Sequence, residues 1–178
     1  MAHVQGSLLA GMQEATATGD HIGVVLVDEQ TDLDRSHEET FSQQRVLMFA
    51  SRMDYPIWLV ELRPNPVHHH SPTQTRLRAL LPLTTPVIVK QMFNAFTGTN
   101  LHALLQAATI DGFVVMGFEV NCCVRQTATG GYPGHGNTGQ HAPGAVQHGY
   151  YVLTCPQVVR GGTANWSNAN GVLFYEYV

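Results

Sequence analysis

Three side chains in this chain could do chemistry together: Asp28, Lys90 and Cys123. Of nine basic residues eight are arginine, so Lys90 is the only lysine in a chain that otherwise avoids it. The reactive form of a cysteine is its thiolate, and a neighbouring ammonium and a helix N-terminus both favour that form. A nearby carboxylate can take the thiol proton as a general base. Backbone N–H groups in the first turn of a helix can face a developing oxyanion. Acid, amine and thiol together suit nucleophilic catalysis.

The elements that must position them are strands. His21-Ile-Gly-Val-Val-Leu-Val27 is a β-branched apolar run of the kind buried on both faces in parallel sheets. Similar runs follow at Ile57–Leu62, Val87–Val89, Gly112–Gly117, Tyr150–Thr154 and Val172–Val178. Helices are expected between them at 38–53, 73–81, 99–109 and 119–129. The first carries a capping box, Ser36 with Glu39, and an apolar face of Phe41, Val46, Phe49 and Ala50. This alternation predicts an α/β fold in three αβα layers, with a central six-stranded, mostly parallel sheet and helices on both faces. Residues 1–20 read as an N-terminal helix or arm and 21–178 as a single domain. In open parallel sheets ligands bind outside the carboxyl ends of the strands. Asp28 ends the first strand, Lys90 ends the third, and Cys123 follows the fourth at the start of a helix. All three therefore converge on one edge.

Other features narrow the field. A length of 178 residues suits one domain with a sizeable core. The net charge of -4, with no basic run, disfavours nucleic acid and anionic membranes as partners. No apolar stretch approaches the ~20 residues that span a bilayer. The first twenty residues lack a secretory signal pattern, so the expected address is cytoplasmic. The charged share of 12% is about half the usual, which points to a homo-oligomer. Three cysteines, two of them adjacent, argue against a disulfide framework, and without a CxxC pair a structural zinc is not expected. Cys122 and Cys155 read as small buried hydrophobes. His68, His69 and His70 are consecutive and cannot all face one ion, so they read as a solvated loop. Neither a metal nor a cofactor is expected. The span from Gly130 to Gly144 has six glycines and two prolines, with His135 and His141 among them and His148 following. Loops of this length are commonly functional. These histidines read as surface or interface residues, with a lid role as the alternative. Nucleotide-binding glycine motifs are absent.

Three stretches resemble the signature blocks of isochorismatase-like cysteine hydrolases, the family of nicotinamidases and N-carbamoylsarcosine amidohydrolases. The first is Val24-Val-Leu-Val-Asp28-Glu-Gln30-Thr-Asp32. The second is Val87-Ile-Val-Lys90-Gln-Met-Phe-Asn-Ala-Phe96-Thr-Gly98-Thr99-Asn-Leu101. The third is Val114-Val-Met-Gly117-Phe-Glu-Val-Asn-Cys-Cys123-Val124-Arg-Gln-Thr127-Ala128. The resemblance implies Cys123 as nucleophile, Asp28 as its base and Lys90 as the charge that balances the site. It also implies a cis peptide at Phe118–Glu119, with the Glu119 and Cys123 N–H groups as oxyanion hole. Gln30, Phe96 and Phe118 are the candidate substrate contacts. The implied reaction is attack on an amide, carbamoyl or ureido carbon of a small molecule, loss of ammonia or an amine, and hydrolysis of a thioester. The stretch Leu62-Arg-Pro-Asn-Pro-Val67 lacks the Asp-x-His metal motif of nicotinamidases, which disfavours nicotinamide as substrate. Glu119, Val120 and Asn121 replace the family's usual small or hydroxyl residues. The competing reading is a non-catalytic small-molecule-binding relative of the same fold. A Schiff-base role for Lys90 is a third.

Overall fold

The computed structural model describes residues 2–32, 40–63, 71–131 and 141–178. The expected capping box at Ser36, the His68–His70 run and His135 lie outside the described residues. The elements run β1 (Ala2–Ser7), α1 (Leu8–Ala17), β2 (Ile22–Val27), α2 (Phe41–Arg52), β3 (Ile57–Leu62), α3 (Thr75–Arg78) and β4 (Val87–Lys90). Then come α4 (Leu101–Ala107), β5 (Gly112–Gly117), α5 (Arg125–Thr129), β6 (Tyr151–Thr154) and β7 (Val172–Tyr177). The strands form one sheet in the order β1-β7-β6-β5-β2-β3-β4, and every neighbouring pair is parallel.

The sheet has seven strands where six were expected. The extra one is β1, in the segment read as a helix or arm. It pairs with β7 at the sheet edge, with Val4 opposite Tyr175, and leads into α1, whose N-cap Ser7 accepts a hydrogen bond from Ala10 N–H. The pairing shifts register between Val4 and Ser7. A short edge strand with a register shift leaves little periodicity to read.

The centre of the sheet is apolar because it is covered on both faces. All six residues of β2 and all six of β5 are buried. From β2 the chain steps outward through β3 to β4. It then returns to β5 on the other side of β2 and steps outward again through β6 to β7. Right-handed crossovers put α2 and α3 on one face and α4 and α5 on the other. The β2–β5 boundary, where the direction of travel reverses, is the switch point at which such sheets hold ligands.

Helix α2 turns a different face inward from the one expected. Val46 and Ala50 are buried as predicted, but Gln43 and Leu47 join them and Phe41 is 67% exposed. A buried glutamine breaks an apolar pattern, and its hydrogen bonds explain it below. Among the described residues no helix is long and apolar enough to cross a membrane.

Candidate active site

Asp28 leaves β2 with φ 55°, in the left-handed region that few non-glycine residues occupy and that aspartate tolerates better than most. Its N–H is held 2.8 Å from Val60 O of β3, so the turn begins from a fixed point. Lys90 ends β4, two strands away, and its side chain runs under the end of β3 to bring Nζ within 2.8 Å of Asp28 Oδ2. Nζ also donates to Phe93 O at 2.9 Å. Both side chains are almost fully buried, and Lys90 is among the largest fully buried side chains in the molecule. A buried charge persists where it is paired and hydrogen-bonded, as here.

The cysteine-bearing turn leaves β5 beside β2. Gly117 has φ 132°, and a Cβ on it would lie 1.9 Å from Val27 O. Only glycine lets the two strand ends approach this closely. Phe118 N–H then bonds Val27 O at 2.9 Å. The Phe118–Glu119 peptide is cis, as the resemblance implied. A π-helical turn over Val120–Val124 follows, where a regular helix was expected. Glu119 O accepts from Val124 N–H at 3.2 Å and from Cys122 N–H at 3.1 Å. Cys123 is 5% exposed in this turn, and Asp28 and Lys90 both lie near enough to act on its thiol. The three residues singled out in the sequence therefore meet.

Their protonation differs from the sequence expectation of a ready thiolate. The hydrogen bond from Cys122 and burial hold the Cys123 thiol well above its usual range, outweighing the pull of Lys90 and Asp28. The neighbouring Cys123 lowers the thiol of the half-buried Cys122. Burial raises the Asp28 carboxyl well above the carboxylate range, with Lys90 pulling it down and Cys123 adding to the rise. Cys155 is buried, and its thiol is pushed up to about 11 by burial, consistent with an inert core residue.

The remaining candidates are placed as follows. Gln30 is buried, and its amide donates to Leu62 O (3.2 Å) and Ser71 O (2.7 Å) while accepting from Leu62 N–H (2.6 Å). It straps two loops together. Phe96 packs among His102, Phe113, Tyr150 and His148, the last at 4.7 Å between ring centroids. Phe118 is half-buried, with the Arg160 guanidinium carbon 5.9 Å from its ring centroid. Among the described residues no cluster of three or more His, Cys, Asp or Glu could hold a metal ion.

Sequence reading missed a buried polar network behind the site. Arg160 Nε lies 3.0 Å from Glu29 Oε1, and Glu29 also accepts from Gln43 (2.7 Å) and Gln74 (3.2 Å). The Arg160 backbone clamps the cysteine-bearing turn from both sides, donating to Gly117 O (2.9 Å) and accepting from Val120 N–H (2.6 Å). Trp166 Nε1 donates to Val120 O at 2.8 Å. A cavity of about 420 Å³ opens at this edge beside Ser42, Gln157, Arg160 and Gly161. The motif residues outside the triad have local work. Thr127 Oγ1 accepts from Ala95 N–H at 3.1 Å, tying the lysine loop to α5, and Asn94 reaches Pro143 O at 2.8 Å.

A buried acid–amine pair and a cysteine thus stand at the switch point of a parallel α/β sheet. The isochorismatase domain model matches residues 25–133, and the chain belongs to the isochorismatase family of hydrolases. No curated protein matches it in sequence. Solved structures share the fold. An N-carbamoylsarcosine amidase from Thermoplasma acidophilum superposes with TM-score 0.66 at 19% identity, covering 87% of this chain and 95% of its own. A nicotinamidase from Staphylococcus aureus gives 0.65 at 15%, covering 89% and 99%. An isochorismatase from Pseudomonas putida gives 0.65 at 18%, covering 98% and 91%.

Proposed function

We propose that this enzyme cleaves a C–N bond of a small amide, carbamoyl or ureido compound through Cys123. The observation that carries the reading is the placement of Cys123 beside the buried Asp28–Lys90 pair, whose Nζ and Oδ2 are 2.8 Å apart. Asp28 takes the thiol proton as sulfur attacks the carbonyl carbon, and the Glu119 and Cys123 N–H groups face the oxyanion. Asp28 then gives that proton to the leaving nitrogen, the C–N bond breaks, and a thioester remains. Water attacks the thioester while Asp28 accepts its proton, the C–S bond breaks, and the proton returns to sulfur. Lys90, paired with Asp28, balances the charge of its carboxylate. Phe118 lines the substrate side, whereas Gln30 and Phe96 brace the walls. The stretch Leu62-Arg-Pro-Asn-Pro-Val67, which has no Asp-x-His motif, disfavours nicotinamide as substrate.

A panel of small amides, carbamates and ureas assayed for ammonia release tests the reading, with Cys123→Ala as control. Turnover of at least one compound, abolished in Cys123→Ala and reduced about 10²–10⁴-fold in Asp28→Asn, is expected. Equal turnover by Cys123→Ala would end the proposal, and silence across a broad panel would favour a binding protein. The low share of charged residues further supports a homo-oligomer. Light scattering should then give a mass above the 19.5 kDa of one chain.

A further inference from the structure

The Glu29–Arg160 pair takes no part in the proposed bond-breaking, yet it joins the two strand ends that carry it. We propose that Arg160 is a positioning residue for the hydrolase reaction, whose buried ion pair with Glu29 fixes the Asp28 carboxyl relative to the cysteine-bearing turn. The inference rests on the reading of Asp28 as the base that serves Cys123.

The contacts of Arg160 divide between the two strand ends. On the acid side, its Nε lies 3.0 Å from Glu29 Oε1. Glu29 directly follows Asp28 and is held from two more elements. Gln43 of α2 donates to its carboxylate at 2.7 Å, and Gln74, the N-cap of α3, does so at 3.2 Å. Gln74 N–H also bonds Glu29 O at 2.8 Å. The left-handed Asp28 is therefore bracketed, by its own N–H on Val60 O and by an anchored Glu29 on its other side. On the thiol side, the Arg160 main chain bonds Gly117 O and Val120 N–H, the residues that flank the Phe118–Glu119 peptide. Its guanidinium lies over the Phe118 ring. One residue thus ties the segment after β2 to the turn after β5.

Both partners are buried, with Glu29 1% and Arg160 5% exposed. Desolvation offsets much of the attraction in a buried ion pair, so what this one adds is fixed geometry more than stability. The planar guanidinium suits that task, because its donors are rigidly arranged. A displacement of about 1 Å between reacting groups can lower a rate about 10²-fold. Setting a base against a nucleophile matters in the transition state, so its loss lowers kcat and leaves KM nearly unchanged.

Arg160→Gln, Glu29→Gln, the double variant and Arg160→Lys test this, each assayed below its own melting transition. Two readouts are needed. One is kcat and KM for ammonia release. The other is the rate at which iodoacetamide alkylates Cys123, followed across pH by peptide mapping, which requires no substrate. Arg160→Gln should lower kcat about 10²-fold at nearly constant KM. Its alkylation rate and pH profile should move toward those of Asp28→Asn. A single variant leaves one buried charge unpaired and can unfold. The double variant leaves none, so it should fold, and it should lose no more than Arg160→Gln because the two side chains act as a unit. Arg160→Lys, which keeps a cation opposite Glu29, should recover part of the loss. A folded double variant with wild-type kcat and alkylation would overturn the proposal, as would a raised KM at constant kcat. Alkylation that responds to Asp28→Asn but ignores Arg160→Gln and the double variant would refute the positioning role alone. Alkylation that responds to both, without turnover of any compound, would uphold that role and refute the hydrolase reading.

Discussion

At the scale of residues, the site depends on how burial and charge compete at Asp28. Burial wins, so its carboxyl holds a proton at a higher pH than an exposed aspartate would, even with Lys90 at 2.8 Å. The proposed chemistry needs that carboxyl ionised. Activity should therefore fall on acidification at a pH above the ordinary aspartate range. Lys90 is the group that favours the ionised form, so Lys90→Gln should move the acid limb of kcat/KM still higher and lower the rate at neutral pH. A pH–rate profile of the two proteins checks this. An acid limb that stays in place in the variant would show that Asp28 does not govern it. Asp28, Lys90 and Cys123 could be singled out in the sequence because each lies at or shortly after the carboxyl end of a strand. Arg160 and Glu29 could not, since 131 positions separate them and Arg160 sits in a segment with no periodic pattern.

At the scale of elements, two junctions hold the site. The first is the β5 terminus, where Gly117 presses against Val27 O. Gly117→Ala combines positive φ with a backbone collision and should cost at least ~3 kcal/mol, or prevent folding. Gly98, with φ 70° and open space around its Cβ position, is the control: Gly98→Ala should cost only ~1–2 kcal/mol. Denaturant melts of both variants make the comparison, and equal losses would mean that the collision relaxes. The second junction joins α4 to the short turn at Val146–His148, where the His102 and His148 rings stack at 4.4 Å. Burial, and secondarily His102, hold His148 below its usual value of 6.5. The unfolded chain therefore takes up this proton first. The contribution to stability is complete above that value and is lost as pH falls below it. His148→Gln should flatten the fall in Tm between about pH 7 and 5. Helix α2 shows where pattern reading errs: Gln43 is inside because Glu29 and Val158 O bind its amide, so polarity misphased the face by one position.

At the scale of the whole molecule, β2, β3 and β5 were legible because burial on both faces demands unbroken apolar runs, whereas β4 at the sheet edge alternates exposed and buried residues and was legible from its β-branched run alone. The seventh, Ala2-His-Val-Gln-Gly-Ser7, sits at the sheet edge with mixed polarity and is held by backbone pairing with β7. Edge pairing constrains side chains weakly, so it leaves little trace in composition. Removing residues 1–7 should uncover β7 as a new edge, lower Tm and promote aggregation. Thermal melts with light scattering would show this, and an unaltered Tm would make β1 dispensable. The oligomer, the substrate and the walls of the pocket depend on surfaces and loops, where many sequences satisfy the same physics.

The indole of Trp166 is buried, with its N–H fixed to the carbonyl of Val120 in the nucleophile turn. Indole emission is sensitive to that bond and to the surrounding polarity. The protein therefore carries a built-in optical gauge one residue away from the Asn121–Cys122–Cys123 run. With Trp58, the only other tryptophan, replaced by phenylalanine, a single emission band would follow ligand capture and sulfur chemistry in real time, without a dye.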